Sequence, residues 1–548
     1  MIQLKIIAKK NKKSLIAIFI LLIVWFTYKP IINYIFYGKD EKITANISAP
    51  VENISCFNLS DEQKHKELEY LLKKLNSCQP QLNNYKKLYD IDINERQDLY
   101  CSALELADDD FEYYCVVNAI LADVPSGHTY LAYPDYETMT ELNGLCYNSK
   151  NVLANENLKS SAYYWKELLD TKYVEILDSD FAYYIYVDGQ YILNEHSENF
   201  SAYDTIVNIN NQPATEYLCE SLSCFELSYD YINATAYRDG CVISTFPWGD
   251  AIDIDFKDSN GLIHTESYYI NCVSDYAYIR YWNSNSTQNN SPVFEIKKHP
   301  DFDYIKINSF TNNGHELINE LRECTNENII VDLRENGGGN IDYIRKYVFP
   351  ALFANDIKFS QNINVNLNWN TMKIYDSAIH FFINSGSRTL KYNDELNKTE
   401  YVHSQQITAE MNGMLESPKN VYVLSGKNTV SAADAFVSIV NDNELGMIIG
   451  SNSGGEGLSG TFMIDILPES YLVFCYNCSE AYNSDGTNNS IYGTSPDIYV
   501  QLSKENYLIY KQLVLLNEDP YTIENRLKWD NVLIETLELI KEKEQQKG

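Results

Sequence analysis

Three segments of this chain carry residue types and spacings that can do chemistry. Residues 329–340, IIVDLRENGGGN, run from an apolar strand through Asp332 and Arg334 into Gly337, Gly338 and Gly339. Consecutive glycines reach backbone angles closed to other residues and let a ligand approach bare N–H groups. A phosphate cradle lacks its Lys-Ser/Thr here, and the GxGxxG spacing is not met, so an oxyanion or peptide-backbone site fits better. The competing reading is a plain strand-to-helix turn. In residues 421–440, VYVLSGKNTVSAADAFVSIV, Ser431 stands where a strand and turn give way to a helix. A hydroxyl there lies beside helix N-terminal amides that stabilise a developing anion, although a serine at a helix start is most often an N-cap. Residues 121–131, LADVPSGHTYL, put His128 after a glycine on a turn between a helix and a strand. Its long separation from Ser431 is no obstacle, because folding and not sequence adjacency assembles a catalytic constellation.

The elements that must position these residues follow from periodicity. Residues 61–123 carry apolar side chains at helical spacing, as in LEYLLKKL and FEYYCVVNAILADV. Residues 173–272 change to short alternating strands such as YYIYVDG, DTIVNINN and AIDIDF. From Tyr304 onward strands alternate with helices, which predicts an α/β domain. Its parts are YIKINSF, a helix through HELINELREC, IIVDLR, VYVLSG, a helix from Ser431 to about Asn441, MIIGS and the hairpin FMIDIL/YLVFCY. Residues 504–547 read as helical and charged, and there is no internal repeat.

Composition bounds the function. The 548 residues carry 45% hydrophobic side chains and a net charge of −33, with no basic patch beyond the extreme N-terminus, which argues against nucleic-acid binding. Lys5, Lys9, Lys10, Lys12 and Lys13 precede the apolar run LIAIFILLIVWFTY. That order is characteristic of export signals; without a small-x-small cleavage site, a membrane anchor is favoured over a cleaved signal, with the bulk of the chain outside the cytosol. Twelve cysteines, an even number, suit an exported chain with some disulfides. Cys475 and Cys478 have redox spacing, but in a strand and without a helix N-terminus to acidify a thiol. No HExxH motif or second CxxC occurs, so neither a metal nor another cofactor is expected.

Taken together, the motifs resemble the C-terminal-processing (tail-specific) and tricorn-core serine peptidases, a family that also includes the retinoid-binding repeat proteins of the retina. The family's DLRxNGGG is matched by Asp332, Leu333, Arg334, Asn336 and Gly337 to Gly339. Its nucleophile segment is matched by Thr429, Ser431, Ala432, Ala433, Asp434 and Phe436, and its GxxPDIxV ending by Gly493, Pro496, Asp497, Ile498 and Val500. Gly127, His128, Thr129 and Leu131 approximate the histidine segment of one branch. The stretch DTIVNINNQP, from Asp204, is similar to the core of PDZ domains. The resemblance implies a crotonase-like βα core, with a helical N-terminal domain and a strand-rich PDZ-like module. It divides the chain into a cytosolic basic segment (1–13), an anchor or signal (14–37), a linker (38–60), a helical domain carrying the His motif (61–172), the PDZ-like module (173–275), the catalytic domain (296–502) and a C-terminal helix (503–548).

One departure bears on mechanism. The Ser-Lys branch carries a lysine in a segment that here reads GSNSGGEG, with Glu456 at the lysine's place. A carboxylate is a feeble base for a serine hydroxyl, so a Ser-Lys dyad is rejected and the resemblance implies His128 as general base. Glu456, Asp485 and Ser126 are the candidates for orienting its imidazole. The expected function is serine endopeptidase action on a protein or peptide substrate, with Ser431 as nucleophile and the amides of Ala432 and Gly338, or a neighbouring glycine, as oxyanion donors. The alternative is a catalytically inactive relative that binds peptides or apolar ligands. The full chain is expected to partition with membranes, and a chain beginning near residue 40 to stay in solution. Full-length, uncleaved protein in the cytosolic fraction would overturn the export reading.

Overall fold

The computed structural model describes residues 54, 56–141, 152–176, 184–193, 204–238, 251–269, 293–310, 315–353, 357–366, 371, 387–393, 398–409, 419–458 and 462–547. The anchor expected over residues 14–37 lies outside the described residues, and among the described residues no helix is long and apolar enough to cross a membrane.

Helix formation begins with local signals. Ser60 and Gln63 form a capping box in which the Ser60 hydroxyl accepts from the Gln63 N–H while the Gln63 side chain accepts from the Ser60 N–H, and this starts α1 (Asp61–Cys78). Leu68, Leu71, Leu72 and Leu75 then share one buried face of α1. Short helices α2 (Leu82–Tyr89) and α3 (Gln97–Leu106) follow, and Asp109 caps α4 (Asp110–Ala122) by accepting from the Glu112 N–H. Pro125, just past the end of α4, cannot extend it. The chain turns through Ser126 and Gly127 to His128 and enters β1 (Tyr130–Leu131), and α5 (Glu156–Ile176) comes later.

Residues 184–269 build an antiparallel module. Strands β2 (Tyr184–Val187), β3 (Gln190–Leu193) and β4 (Thr205–Ile209) lead to the hairpin β5 (Leu227–Asp230) and β6 (Thr235–Arg238), then to β7 (Ala251–Lys257) and β8 (Ile263–Tyr269). The main sheet runs β2-β3-β4-β7-β8, with Gln212–Pro213 paired against β4. Asn210 and Asn211, both at positive φ, make the tight turn after β4.

The α/β core is a six-stranded sheet of β9 (Phe294–Lys298), β10 (Asp303–Ile307), β11 (Asn328–Asp332), β12 (Asn420–Ser425), β13 (Met447–Gly450) and β16 (Ile498–Tyr499), in that order. Only β9 is antiparallel to its neighbour. Between β13 and β16 the chain forms the hairpin β14 (Phe462–Ile466) and β15 (Val473–Asn477), which joins β1 in a three-stranded sheet and packs against α1 to α4. Helix α6 (His315–Arg322) connects β10 to β11, and α7 (Ala432–Asp442) connects β12 to β13, both on one face of the core sheet. The C-terminal stretch, expected as a single charged helix, is α8 (Lys504–Leu515), α9 (Ile523–Trp529) and α10 (Asn531–Lys547). It also differs in role: α10 buries Val532, Leu533 and Ile540 on the sheet's other face, against Ile330, Tyr422 and Leu424.

Asp332 and Arg334, two residues of the chemistry-bearing motif at the end of β11, face this C-terminal layer. Arg334 makes a bidentate pair with Asp530 at 2.7 Å on each side and donates to Asp332 at 2.6 Å, while Arg526 reaches Asp530 at 3.0 Å. Burial by itself would raise the Asp332 carboxyl, but the charge and hydrogen bonding of Arg334, followed by Arg526, outweigh it and hold the group well below the ordinary carboxylate range. A carboxyl lowered by folding stabilises the fold in full above its unfolded pKa of about 3.9, and the contribution is lost as pH falls toward the folded value. Asp530→Asn leaves two largely buried guanidiniums facing Asp332 alone. It is expected to cost about 3 kcal/mol in denaturant unfolding at pH 7, and the wild-type chain is expected to lose stability as pH falls below about 3.9, where Asp332 no longer holds its full advantage.

Candidate active site

The turn between β12 and α7 is strained. Ser431 adopts φ 55° and ψ −125°, a conformation that costs a non-glycine residue about 1–3 kcal/mol and persists only when the surroundings hold it. They do so here through the backbone. The Ser431 N–H donates to the Gly455 carbonyl at 2.9 Å, the Val430 N–H to the Asn336 carbonyl at 3.1 Å, and the Thr429 hydroxyl to the Leu333 carbonyl at 2.8 Å. The Ser431 side chain makes no capping hydrogen bond to the helix, so the N-cap reading of this serine does not hold. Its hydroxyl is half-buried at the N-terminus of α7, where among the described residues the Ala432 amide has no protein acceptor.

The glycine loop packs directly on this turn. A Cβ on Gly338, at φ 113°, would lie 2.8 Å from the Ser431 Cβ and 3.0 Å from the Ala432 nitrogen; one on Gly339 would lie 2.2 Å from the Phe310 carbonyl oxygen. Only glycine permits both approaches. The Gly338 N–H, one of the expected oxyanion donors, donates in this arrangement to the buried Asn336 Oδ1 at 2.8 Å.

His128 arrives from the N-terminal layer. A Cβ on Gly127 would meet the Val430 side chain at 3.3 Å, so the absence of a side chain lets the histidine turn lie against the serine turn. Ahead of that turn, Asp123 is fixed by Arg96 at 2.9 Å, by Arg238 of β6 at 2.6 Å and by the Tyr100 hydroxyl at 2.8 Å. The imidazole Nδ1 lies 3.7 Å from Glu456 Oε2. Glu456, 1% exposed and itself at φ 64°, accepts from the Ser126 hydroxyl at 2.9 Å and from Asn477 Nδ2 at 2.6 Å. Of the three candidates for orienting the imidazole, Glu456 is therefore the one beside it. Ser126 bonds the carboxylate, and Asp485 is exposed and bonded to Thr487.

Asp434, one turn into α7, anchors the loop that carries Glu456. It accepts from Ser453 at 2.5 Å, Thr494 at 2.9 Å and the Gly457 N–H at 3.0 Å, and burial raises its carboxyl even though these hydrogen bonds oppose the shift. Neither Asn477 nor Asn336 has a local signature that singles it out, since one sits within a strand and the other among motif residues with no evident acceptor. Among the described residues no group of three His, Cys, Asp or Glu side chains could hold a metal ion. The nine described cysteines are free thiols, and burial pushes that of Cys475 up to about 12, which disfavours its reactive thiolate form.

Residues 301–500 match the model of peptidase family S41. The chain is 24% identical over 215 residues to the tail-specific protease of Haemophilus influenzae, a match that takes in 38% of this chain and 26% of that protein, so it spans about a quarter of the curated relative's length. Among solved structures, mature CPAF complexed with lactacystin is similar over 83% of this chain and 98% of its own, at 12% identity and a TM-score of 0.48. The photosystem II D1 C-terminal processing protease is similar over 80% and 93%, at 12% identity and a TM-score of 0.32.

The two glycines separate site from scaffold. Gly338→Ala is expected to push aside Ser431 and the Ala432 amide, removing reaction of Ser431 with a fluorophosphonate, with a smaller fall in Tm than Gly339→Ala. Gly339→Ala breaks the close approach to Phe310 and is expected to destabilise the fold by about 2 kcal/mol or more, read as a fall in Tm.

Proposed function

With residues 301–500 matching the model of peptidase family S41, we propose that this chain is a serine endopeptidase using Ser431, His128 and Glu456. The observation that carries the reading is the buried Glu456, which sits 3.7 Å from the His128 Nδ1 on the same loop whose Gly455 carbonyl holds the Ser431 N–H. Nδ1 facing the carboxylate leaves Nε2 for the serine. Ser431 Oγ attacks the peptide carbonyl as His128 takes its proton, and the imidazolium then passes that proton to the leaving amine. Glu456 keeps the ring oriented and stabilises the imidazolium, its own position set by Ser126 and Asn477. The 3.7 Å separation is long for a hydrogen bond and shortens as substrate binds. The Ala432 N–H receives the oxyanion, joined by Gly338 once its amide exchanges Asn336 for the substrate oxygen.

The hydrogen bond that engages the Gly338 N–H with Asn336 is the observation favouring a second reading, in which the chain binds peptides or apolar ligands without cleaving them. A further part of the proposal concerns placement: the lysine-flanked apolar run anchors the chain, and the peptidase works outside the cytosol. The strand module of residues 184–269 is proposed as a PDZ-like unit, in keeping with its DTIVNINNQP segment.

A fluorophosphonate probe distinguishes peptidase from binding protein. Labelling at Ser431, lost in Ser431→Ala while thermal unfolding is retained, is expected; absence of labelling on the folded wild-type chain supports the binding role. His128→Ala should lower kcat/KM by about a thousandfold or more. Glu456→Gln, which keeps shape but not charge, should lose about a hundredfold or more. Near-normal activity in Glu456→Gln would remove that residue from the constellation.

A further inference from the structure

The imidazole of His128 has a neighbour that no motif announces. Phe462, the first residue of β14, stacks on it with ring centroids 4.8 Å apart and planes inclined by 5°. The placement follows from register. Phe462 pairs with Asn477 across the β14–β15 hairpin, and Asn477 is the residue that donates to Glu456 at 2.6 Å. On its other edge β15 pairs Cys475 with Tyr130, two residues beyond His128, so one small sheet spans the histidine turn, the ring that covers it and the amide that holds its carboxylate.

We propose that Phe462 is a positioning residue for His128, its ring face fixing the imidazole plane and stabilising the imidazolium formed when the base takes the Ser431 proton. The inference rests on the serine-peptidase reading above. An aromatic face attracts a cation through its quadrupole, and a near-parallel offset stack keeps a ring from turning about its χ2 axis. Rotation matters here because Nδ1 stands 3.7 Å from Glu456 without a direct hydrogen bond. The carboxylate alone does not lock the ring in this arrangement, and the stack supplies the missing restraint. Glu456 is the charged group within ion-pair distance of the imidazole among the described residues. From α2, the Tyr85 phenol is held well above its ordinary range, first by burial and then by the charge of Glu456, so it stays neutral. Phe462 and Glu456 thus act on the imidazolium in the same direction.

The ring must be held in plane to take the Ser431 proton, and removing the aromatic face frees it to turn. The experiment is the rate of fluorophosphonate labelling of the full chain, resolved into kinact and KI. Phe462→Leu, which keeps apolar bulk, and Phe462→Ala are both expected to lower kinact about ten- to thirtyfold with KI unchanged, whereas Phe462→Tyr stays within about threefold of wild type. A Leu variant with wild-type kinact would overturn the proposal, because packing alone would then suffice. So would a Tyr variant that falls as far as Ala. Failure of the wild-type chain to label at all would instead reject the peptidase reading itself, which keeps the two failures distinct.

Discussion

The candidate site depends on one strained turn being held from outside. Ser431 sits at a positive φ that its own side chain cannot favour, and α7 begins one residue later. Three chain segments hold the turn: the end of β11 through Leu333 and Asn336, the glycine loop against its Cβ, and the loop after β13 through the Gly455 carbonyl. Because these contacts are mostly made by backbone, they fix the turn while leaving the serine hydroxyl out of any capping bond. Strain of this kind is kept where the hydroxyl must stand free, and it is offset by hydrogen bonds elsewhere.

Buried carboxylates divide the remaining work by their partners. Asp434 faces hydroxyls and an amide, and it pins the loop on which Glu456 rides. Glu456 faces a hydroxyl, a carboxamide and an imidazole, and so is poised toward the histidine. Asp123 faces two guanidiniums and a phenol, which tie the histidine turn to α3 and to the strand module in one place. Asp332 shares Arg334 and Arg526 with Asp530 and joins the C-terminal layer to the sheet. The same functional group serves as loop anchor, ring partner, joint and brace, according to what is brought beside it.

Much of this was legible in the chain. The period-3.6 faces of α1 and α4, the apolar run of β11 and the helix expected from Ser431 to about Asn441 all follow from local pattern, because burial on one face or on both leaves a regular trace in sequence. The glycines were legible as places of close approach, and Ser431 and His128 as candidates, since their chemistry is intrinsic to residue type and turn. Glu456 was legible as a residue standing where a lysine was expected and as one of three candidates for orienting the imidazole.

Contacts between distant segments decided the rest. Nothing near Glu456 in sequence says that Ser126 and Asn477 will close on its carboxylate, and nothing near Phe462 says that its ring will cover an imidazole supplied more than 300 residues earlier. Nor does the motif holding Asp332 and Arg334 reveal that Arg334 pairs with Asp530 and that Asp332 shares Arg334 and Arg526 with it. Residue type sets what a side chain is able to do, and the sequence by itself determined that much, together with the helices and strands that carry it. Which partner meets each side chain, and hence whether a carboxylate braces the fold or faces a histidine, depends on strand register and layer packing, which exist only once the chain has closed on itself.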